Sequence, residues 1–388
     1  MKLHPQPVMP QGFQCASRNC GLKEKGTDLS VFFSSVPAAA AAVFTKNHFP
    51  GAPVILGREV ILGRRLQAVV VNSKISNVGT GAAGVENARR MARATAEEFH
   101  IAPDTVLVSS TGVIAKPLPI EKIERGIQGI SALIQDDPIV GAQGIMTTDT
   151  YAKAVSMNVG PAVLTLVGKG AGMIEPNMAT MLVYVFTDAA VDADALDAAL
   201  RDAVAVSFNM LSVDTDTSTS DTCAILANGL AGPVDQKAFS QALSFACIEM
   251  TQLLARDGEG ATKLLTGRVS GARDAGQARQ VAKSLINSPL IKTMAYGADP
   301  NIGRILMAVG KCFDCDIHPE RIIVHINDRL IYARQERVDF DEAQVRTLLG
   351  GDRVDIAVDL GAGQGEAMAY GCDLTEGYIK ENAAYYSS

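Results

Sequence analysis

A layered α/β (α+β) fold, with sheets covered by helices, is predicted by three observations. Short apolar runs rich in β-branched residues recur along the chain, most of them bounded by Gly, Asp or Asn. Between them lie longer segments whose apolar residues repeat at helical spacing. The two kinds mix without the strict strand–helix alternation of a doubly wound parallel sheet. Length agrees: at about 150 residues per domain, 388 residues make one large domain or two ordinary ones.

In chain order, strand signals fall at 68–71, 105–108, 162–167, 181–186, 321–326, 354–358 and 367–370. Helical patterns run from about 85 to 99, 119 to 135, 192 to 206, 235 to 256 and 274 to 286. In the longest, Phe239, Leu243, Ala246, Cys247 and Met250 mark one apolar stripe, which reads as core packing. No linker, repeat or long charge block marks a domain boundary.

Composition narrows the function classes. With 47% hydrophobic and 20% charged residues the chain has ample material for a core, and disorder is excluded. Tryptophan is absent and aromatics are 5%, so the core is expected to be mainly aliphatic. The net charge is −7 and no run of Lys and Arg exceeds a pair, which argues against a nucleic-acid partner. The longest small apolar run, 38–44, is far short of the roughly 20 residues of a membrane span. No signal-peptide pattern stands at the start. A soluble, cytoplasmic protein is expected. Seven scattered cysteines make no disulfide framework, and Cys312-x-x-Cys315 lacks the further ligands of a structural zinc site. Reduced thiols and no metal are expected.

Chemistry concentrates in Gly168-Lys169-Gly170-Ala171-Gly172-Met173-Ile174-Glu175-Pro176-Asn177-Met178-Ala179-Thr180-Met181-Leu182. A phosphate cradle would place the lysine after the glycines and lead into a helix; here the lysine precedes Gly170 and a strand follows. A threonine opening a strand is ordinarily structural. It has another use if the Ala179–Thr180 peptide is cut. Thr180 would then carry both a hydroxyl and a free α-amine, which titrates near 8, and one residue would supply nucleophile and base. Such a site could run acyl transfer in a chain with only five histidines, none at ligand spacing.

The segment resembles the cleavage-site signature of the ornithine acetyltransferase family, the glutamate N-acetyltransferases, which belong to a self-processing, N-terminal-nucleophile-like superfamily. Further motifs match in order: Ser110-Thr111-Gly112-Val113-Ile114, Met146-Thr147-Thr148-Asp149-Thr150, the Asp- and hydroxyl-rich stretch 214–221, Asp257-Gly258-Glu259-Gly260-Ala261-Thr262-Lys263, Asp299-Pro300-Asn301 with Gly303-Arg304, and the tail 382–388. The resemblance implies sheets covered by helices as in that superfamily. It also implies self-cleavage into 1–179 and 180–388, with the pieces associated as a heterodimer in a higher oligomer. Thr180 would be the nucleophile, with Thr111 and Gly112 forming the oxyanion hole. Thr148, Lys169, Thr180, Glu259, Asn382 and Ser387 would bind substrate. Taken alone, Lys169 reads as a solvated loop lysine and Glu259 as a helix-end surface glutamate; in the family's reading they pair with a substrate carboxylate and an ammonium or amine. No cofactor is implied, and acetyl-CoA enters only as a substrate of a bifunctional enzyme. The stretch 214–221 reads as a hydroxyl-rich turn rather than a cation site.

The chain departs from the family's pattern at defined places. Asn72-Ser73-Lys74-Ile75-Ser76-Asn77 stands where Asn-Ser-Gly-Asn-Ala-Asn is typical. Ala115 and Thr215 occupy positions where glycine is usual, Ser220 replaces Asn and Ile302 replaces Trp. The expected activity is transfer of acetyl from N-acetylornithine to glutamate in arginine biosynthesis. A related acyltransferase with another amine substrate, an amidase or peptidase of the same superfamily, and an uncleaved binding protein are the alternatives.

Overall fold

The computed structural model of the protein describes residues 1–175 and 181–383. The chain forms two compact units: Met1–Asn209 with Thr217–Met250, and Met210–Asp216 with Thr251–Ser388.

The first unit contains β1 (Phe13–Arg18), β2 (Leu29–Phe44), α1 (Ala52–Val60), β3 (Arg65–Asn72), α2 (Gly81–Phe99), β4 (Val106–Ser110), α3 (Ile120–Ile127) and α4 (Pro138–Ile145). It continues with β5 (Lys153–Val159), β6 (Ala162–Lys169), β7 (Leu182–Ala190), α5 (Ala193–Val206), β8 (Thr222–Pro233) and most of α6 (Gln236–Arg256). Its strands make one mixed sheet in the order β4-β3-β2-β8-β7-β6-β5, with β1 added beside β2. The β3–β4 and β7–β8 pairs are parallel. The other pairs are antiparallel.

Both faces of this sheet are covered, which is why its strands read as continuous apolar runs rather than alternating ones. In β3, Val69 and Val71 enter a core cluster with Phe32, Tyr184, Phe186 and the α4 residues Ala142 and Ile145. Ala68 and Val70 face the opposite cluster, built with Leu56 of α1, Met91 of α2 and Ile123 of α3. The first cluster holds Phe13, Phe32, Tyr184 and Phe186, and the Phe32 and Phe186 rings stack with centroids 5.1 Å apart. Such a pair adds about 0.5–1.5 kcal/mol beyond its burial.

The second unit contains β9 (Leu264–Ala272), α7 (Ala275–Asn287), α8 (Pro289–Tyr296), α9 (Gly303–Gly310), β10 (Ile323–Ile326), β11 (Arg329–Ala333) and β12 (Glu336–Arg337). It ends with α10 (Glu342–Leu349), β13 (Arg353–Asp359), β14 (Gly365–Cys372) and α11 (Glu376–Asn382). Its sheet runs β12-β11-β10-β13-β9-β14, with β9 and β13 parallel. The layered α/β class read from the sequence is the class observed.

Helix starts follow side-chain chemistry. Asp192 accepts hydrogen bonds from the amides of Asp194 and Ala195 at the start of α5. Asp274 accepts one from Gln277 N at the start of α7. Each cap satisfies an otherwise orphaned donor, worth ~1 kcal/mol. One expected helix is shorter than its pattern: 119–135 yields α3, which stops at Ile127. Gly129 then turns left-handed at φ 71°, and the Glu98 carboxylate accepts from the amides of Gly129 and Ser131, which ends the helix. Strand β2 carries no clean pattern because Pro37, which lacks an amide hydrogen, sits where pairing to β3 lapses between Phe33 and Ala38.

Among the described residues no helix is long and apolar enough to cross a membrane. None of the seven cysteines is in a disulfide, and five of them are buried. Burial pushes Cys15 up to about 12 and, with Asp28 beside it, Cys20 to about 12 as well.

Candidate active site

Parallel pairing of β3 and β4 brings their C-terminal ends together, and the loops leaving them run side by side. Asn72 O accepts from Thr111 N at 3.0 Å, and Lys74 O accepts from Val113 N at 2.9 Å. The Ser110 hydroxyl donates to Asn72 Oδ1 at 2.6 Å, and Asn72 Nδ2 donates to Ile75 O. Gly112 lies between these bonds with φ 125°, and a Cβ there would meet the Lys74 carbonyl carbon at 2.2 Å. Only glycine permits that approach. The site therefore depends on the Lys74–Ile75 peptide, the place where the chain departs from the family's pattern.

Lys169, the last residue of β6, is buried and donates from Nζ to Thr111 Oγ1 at 3.2 Å. It is not the solvated loop lysine that its sequence context alone suggests. Two residues matched 58 positions apart are thus in contact. An ammonium has donors and no acceptor, so Thr111 must accept from it, which directs the threonine's own hydrogen elsewhere.

Beneath this pair lies a buried carboxylate. Asp149 Oδ1 accepts from Lys153 Nζ at 2.7 Å and from Gly170 N at 2.7 Å, and Oδ2 accepts from Thr147 N at 2.9 Å. Both side chains of the Asp149–Lys153 pair are fully enclosed. Burial opposes ionisation of Asp149, but the charges of Lys169 and Lys153 outweigh it and bring the carboxyl down to about 2. Thr148 is half-buried in the same turn.

The second unit carries the remaining described candidates. Past the end of α6, Glu259 is buried and accepts from Asn382 Nδ2 at 2.7 Å. It is not the surface glutamate that its position suggests, and its partner lies 123 residues away. The loop is clamped from both sides. Asp373 accepts from the amides of Thr262 and Lys263, and Thr375 Oγ1 donates to Gly260 O at 2.6 Å. Gly260, at φ 68°, packs so closely on Gly377 that a Cβ would lie 2.4 Å from its carbonyl carbon. Lys263 is structural: its ammonium donates to Ala295 O and Leu349 O at the ends of α8 and α10.

Beside Glu259 stands Tyr378, whose hydroxyl donates to Asp214 Oδ2 at 3.3 Å. Burial and the neighbouring Asp214, with Glu259 and Asp216 further off, push its phenol up, so it stays protonated. The stretch 214–221 is only partly satisfied by itself. Asp216 N donates to Asp214 Oδ1, but Thr217 Oγ1 donates to Glu175 O and Ser218 O accepts from Thr45 Oγ1. Arg304 donates to Leu290 O at 2.7 Å and ties α9 to α8, a structural role for the 299–304 motif.

Ala179, Thr180 and Ser387 lie outside the described residues. Described chain resumes just after position 180, where Thr222 N donates to Met181 O and Leu182 of β7 pairs with Lys169 of β6. Sequence reasoning named neither Asp149 as a functional group nor Tyr378. The first stood inside a quoted motif four residues before Lys153; the second had no local signal.

Comparison with known proteins fits these observations. Residues 14–387 match the ArgJ family. The arginine biosynthesis bifunctional protein ArgJ of Rhodococcoides fascians is 45% identical over 379 residues, covering 97% of this chain and 94% of that protein. The glutamate N-acetyltransferase Oat2 of Streptomyces clavuligerus is 42% identical over 386 residues, covering 98% of each. Among solved structures, the arginine biosynthesis bifunctional protein argJ of Bacillus halodurans matches with a TM-score of 0.50 and 39% identity, covering 52% of this chain and 98% of that one. These likenesses define the class: an enzyme, an acyltransferase of the glutamate N-acetyltransferase type. The chain belongs to the ArgJ family of arginine biosynthesis.

Proposed function

We propose that the chain transfers the acetyl group of N-acetylornithine to glutamate through an acyl-enzyme on Thr180, after cutting itself between Ala179 and Thr180. The observation that carries this reading is the Lys169–Thr111 contact beside Gly112, at the end of the strand that pairs with β7. The Bacillus halodurans chain supports the cut: 98% of it is spanned by 52% of this chain, the length of a processed half.

In the first half-reaction Thr180 Oγ attacks the acetyl carbonyl and its proton passes to the residue's own α-amine. Thr111 Oγ1 and Gly112 N donate to the oxyanion; losing one such donor typically lowers the rate ~10²–10³-fold. The amide C–N bond breaks and ornithine leaves with the proton, so the acetyl remains as an ester on Thr180. In the second half, glutamate's amine attacks the ester, the C–O bond breaks and Thr180 recovers its proton. Lys169, with Thr148, binds substrate carboxylate; Glu259, held by Asn382, takes the ammonium or amine; and Ser387 completes the binding set. The relatives' description as bifunctional supports a second activity in which acetyl-CoA is the donor, as substrate and not cofactor. The reaction belongs in the cytoplasm, and the cleaved pieces remain together, assembled into a higher oligomer.

One observation favours a second reading, a related acyltransferase with another amine substrate. Lys74 and Ile75, which depart from the family's pattern, supply the peptide on which Gly112 rests. An intact mass spectrum after brief exposure to N-acetylornithine tests both. The first reading expects two chains split at Ala179–Thr180, with an acetyl mass on the second. Two chains without the adduct would move the assignment to another donor, and one uncut, unmodified chain would sink the mechanism.

A further inference from the structure

Asp149 has no part in the chemistry just described, yet its buried carboxylate accepts three hydrogen bonds close to Lys169. Its carboxylate ties three elements together. It accepts from Thr147 N in the turn after α4, from Lys153 Nζ at the first position of β5, and from Gly170 N, the amide directly after Lys169. The side chain is enclosed, so the charge acts through a medium of low dielectric, where it is far stronger than in water.

We propose that Asp149 is a positioning residue for Lys169: it fixes the end of β6 and holds the Lys169 ammonium charged against Thr111, while Lys153 is the counter-ion that keeps the carboxylate ionised in the interior. The inference rests on the reading of Lys169 and Thr111 given above. Other charges in the neighbourhood work against a charged Lys169. Lys153 comes from β5, Lys23 from the β1–β2 connection, and Lys74 from the loop after β3. Burial lowers Lys23; Asp28 and Asp149 oppose that, and Lys169 and Lys74 add to it, so these charges share one neighbourhood. Asp28, the other carboxylate there, already accepts from the amides of Cys20, Leu22 and Lys23. Asp149, bonded to the amide directly after Lys169, is an anion placed to offset them. A chain of polarisation follows: Asp149 keeps Lys169 an ammonium, and the ammonium makes Thr111 an acceptor toward it and a donor toward the developing oxyanion.

The test removes both charges of the enclosed pair, because Asp149→Asn alone strands Lys153 as a buried cation and can unfold the protein. In the full-length enzyme carrying Asp149→Asn with Lys153→Met, two readouts are compared with Lys153→Met alone, so that the difference isolates the Asp149 charge. The first is the pH profile of acyl-enzyme formation from N-acetylornithine. The expected result is an alkaline limb at least one pH unit lower, since an opposite charge at close range shifts a titration by about 1–3 units. KM should rise about tenfold with a smaller change in kcat. The second readout needs no substrate: lysine-labelled protein is titrated by ¹⁵N NMR, with Lys169 assigned by Lys169→Arg. Lys169 should lose its proton at lower pH in the double variant. Identical Lys169 titrations overturn the proposal. If the double variant does not fold, the unsubstituted enzyme still decides: a neutral Lys169 amine at pH 8 overturns it. A shifted titration in an enzyme that transfers no acetyl would leave this inference standing and remove the functional reading.

Discussion

Lys74, Ala115 and Thr215 sit at φ 83°, 60° and 69°, in the left-handed region that favours glycine. Each occupies a position where the family's pattern has glycine, so side chains have been accepted without giving up the backbone conformation. The penalty for an L-residue there is roughly 1–2 kcal/mol, and a β-branched residue such as Thr215 is the least suited. Part of any gain from restoring glycine is lost to the freer unfolded chain. Ala115→Gly and Thr215→Gly are therefore expected to raise stability by about 0.5–1 kcal/mol each, read as an increase in the urea midpoint. No change, or a fall, would mean that contacts of these side chains outweigh the strain. The sequence pointed to these positions as departures but could not supply the reason, because left-handed geometry is a property of the folded loop. Lys169 and Glu259 teach the converse: their sequence neighbourhoods suggest solvent, and the fold buries both.

Among the elements, the turn between α4 and β5 carries the clearest pH signature. The Asp149 carboxyl lies at about 2 in the folded protein, against about 3.9 in an unfolded chain. A depressed carboxylate contributes stability that is complete above the unfolded value and is lost as pH falls through the folded one. The window is therefore about pH 5 to pH 2, and the contribution is of the order of 2–3 kcal/mol. Urea midpoints measured across that window should fall more steeply for the natural enzyme than for Asp149→Asn with Lys153→Met. Parallel curves would show that the pair contributes no acid sensitivity. Much at this scale was legible in advance. Helices α2, α5, α6 and α7 and strands β3, β4, β6, β7, β10, β13 and β14 follow their local patterns. Two misses have local causes: Pro37 interrupts β2, and the turn at Gly129, held by Glu98, ends a helix whose apolar spacing continues. Elements such as β1, β5, β8, β9, α1, α4 and α8 gave no pattern that the sequence reading picked out.

For the whole molecule, the two pieces of the proposed cleavage do not coincide with the two compact units. Strands β7 and β8, α5 and most of α6 follow position 180 in sequence but belong to the first unit. β8 pairs with β2 on one side and β7 pairs with β6 on the other, so the second piece supplies central strands to a sheet begun by the first. Leu182, Val183, Val185 and Phe186 are buried there, each contributing roughly 1.5–3 kcal/mol. Cleaved enzyme is accordingly expected to elute as one species in size-exclusion chromatography and to separate only under denaturant. Two peaks in native buffer would refute that account.

Patterning alone determined the layered class and nearly half of the regular elements, because strand and helix periods are written in consecutive residues. The resemblance, also read from the chain, supplied the candidate residues one motif at a time. Only the tertiary structure decided which of them meet. It set Lys169 on Thr111, Asn382 on Glu259, and the Lys74–Ile75 peptide against Gly112. It also placed Asp149 where its charge acts on Lys169. These contacts join residues tens to more than a hundred positions apart, and burial strengthens their charges. Neither the separation nor the low dielectric has any trace in local sequence.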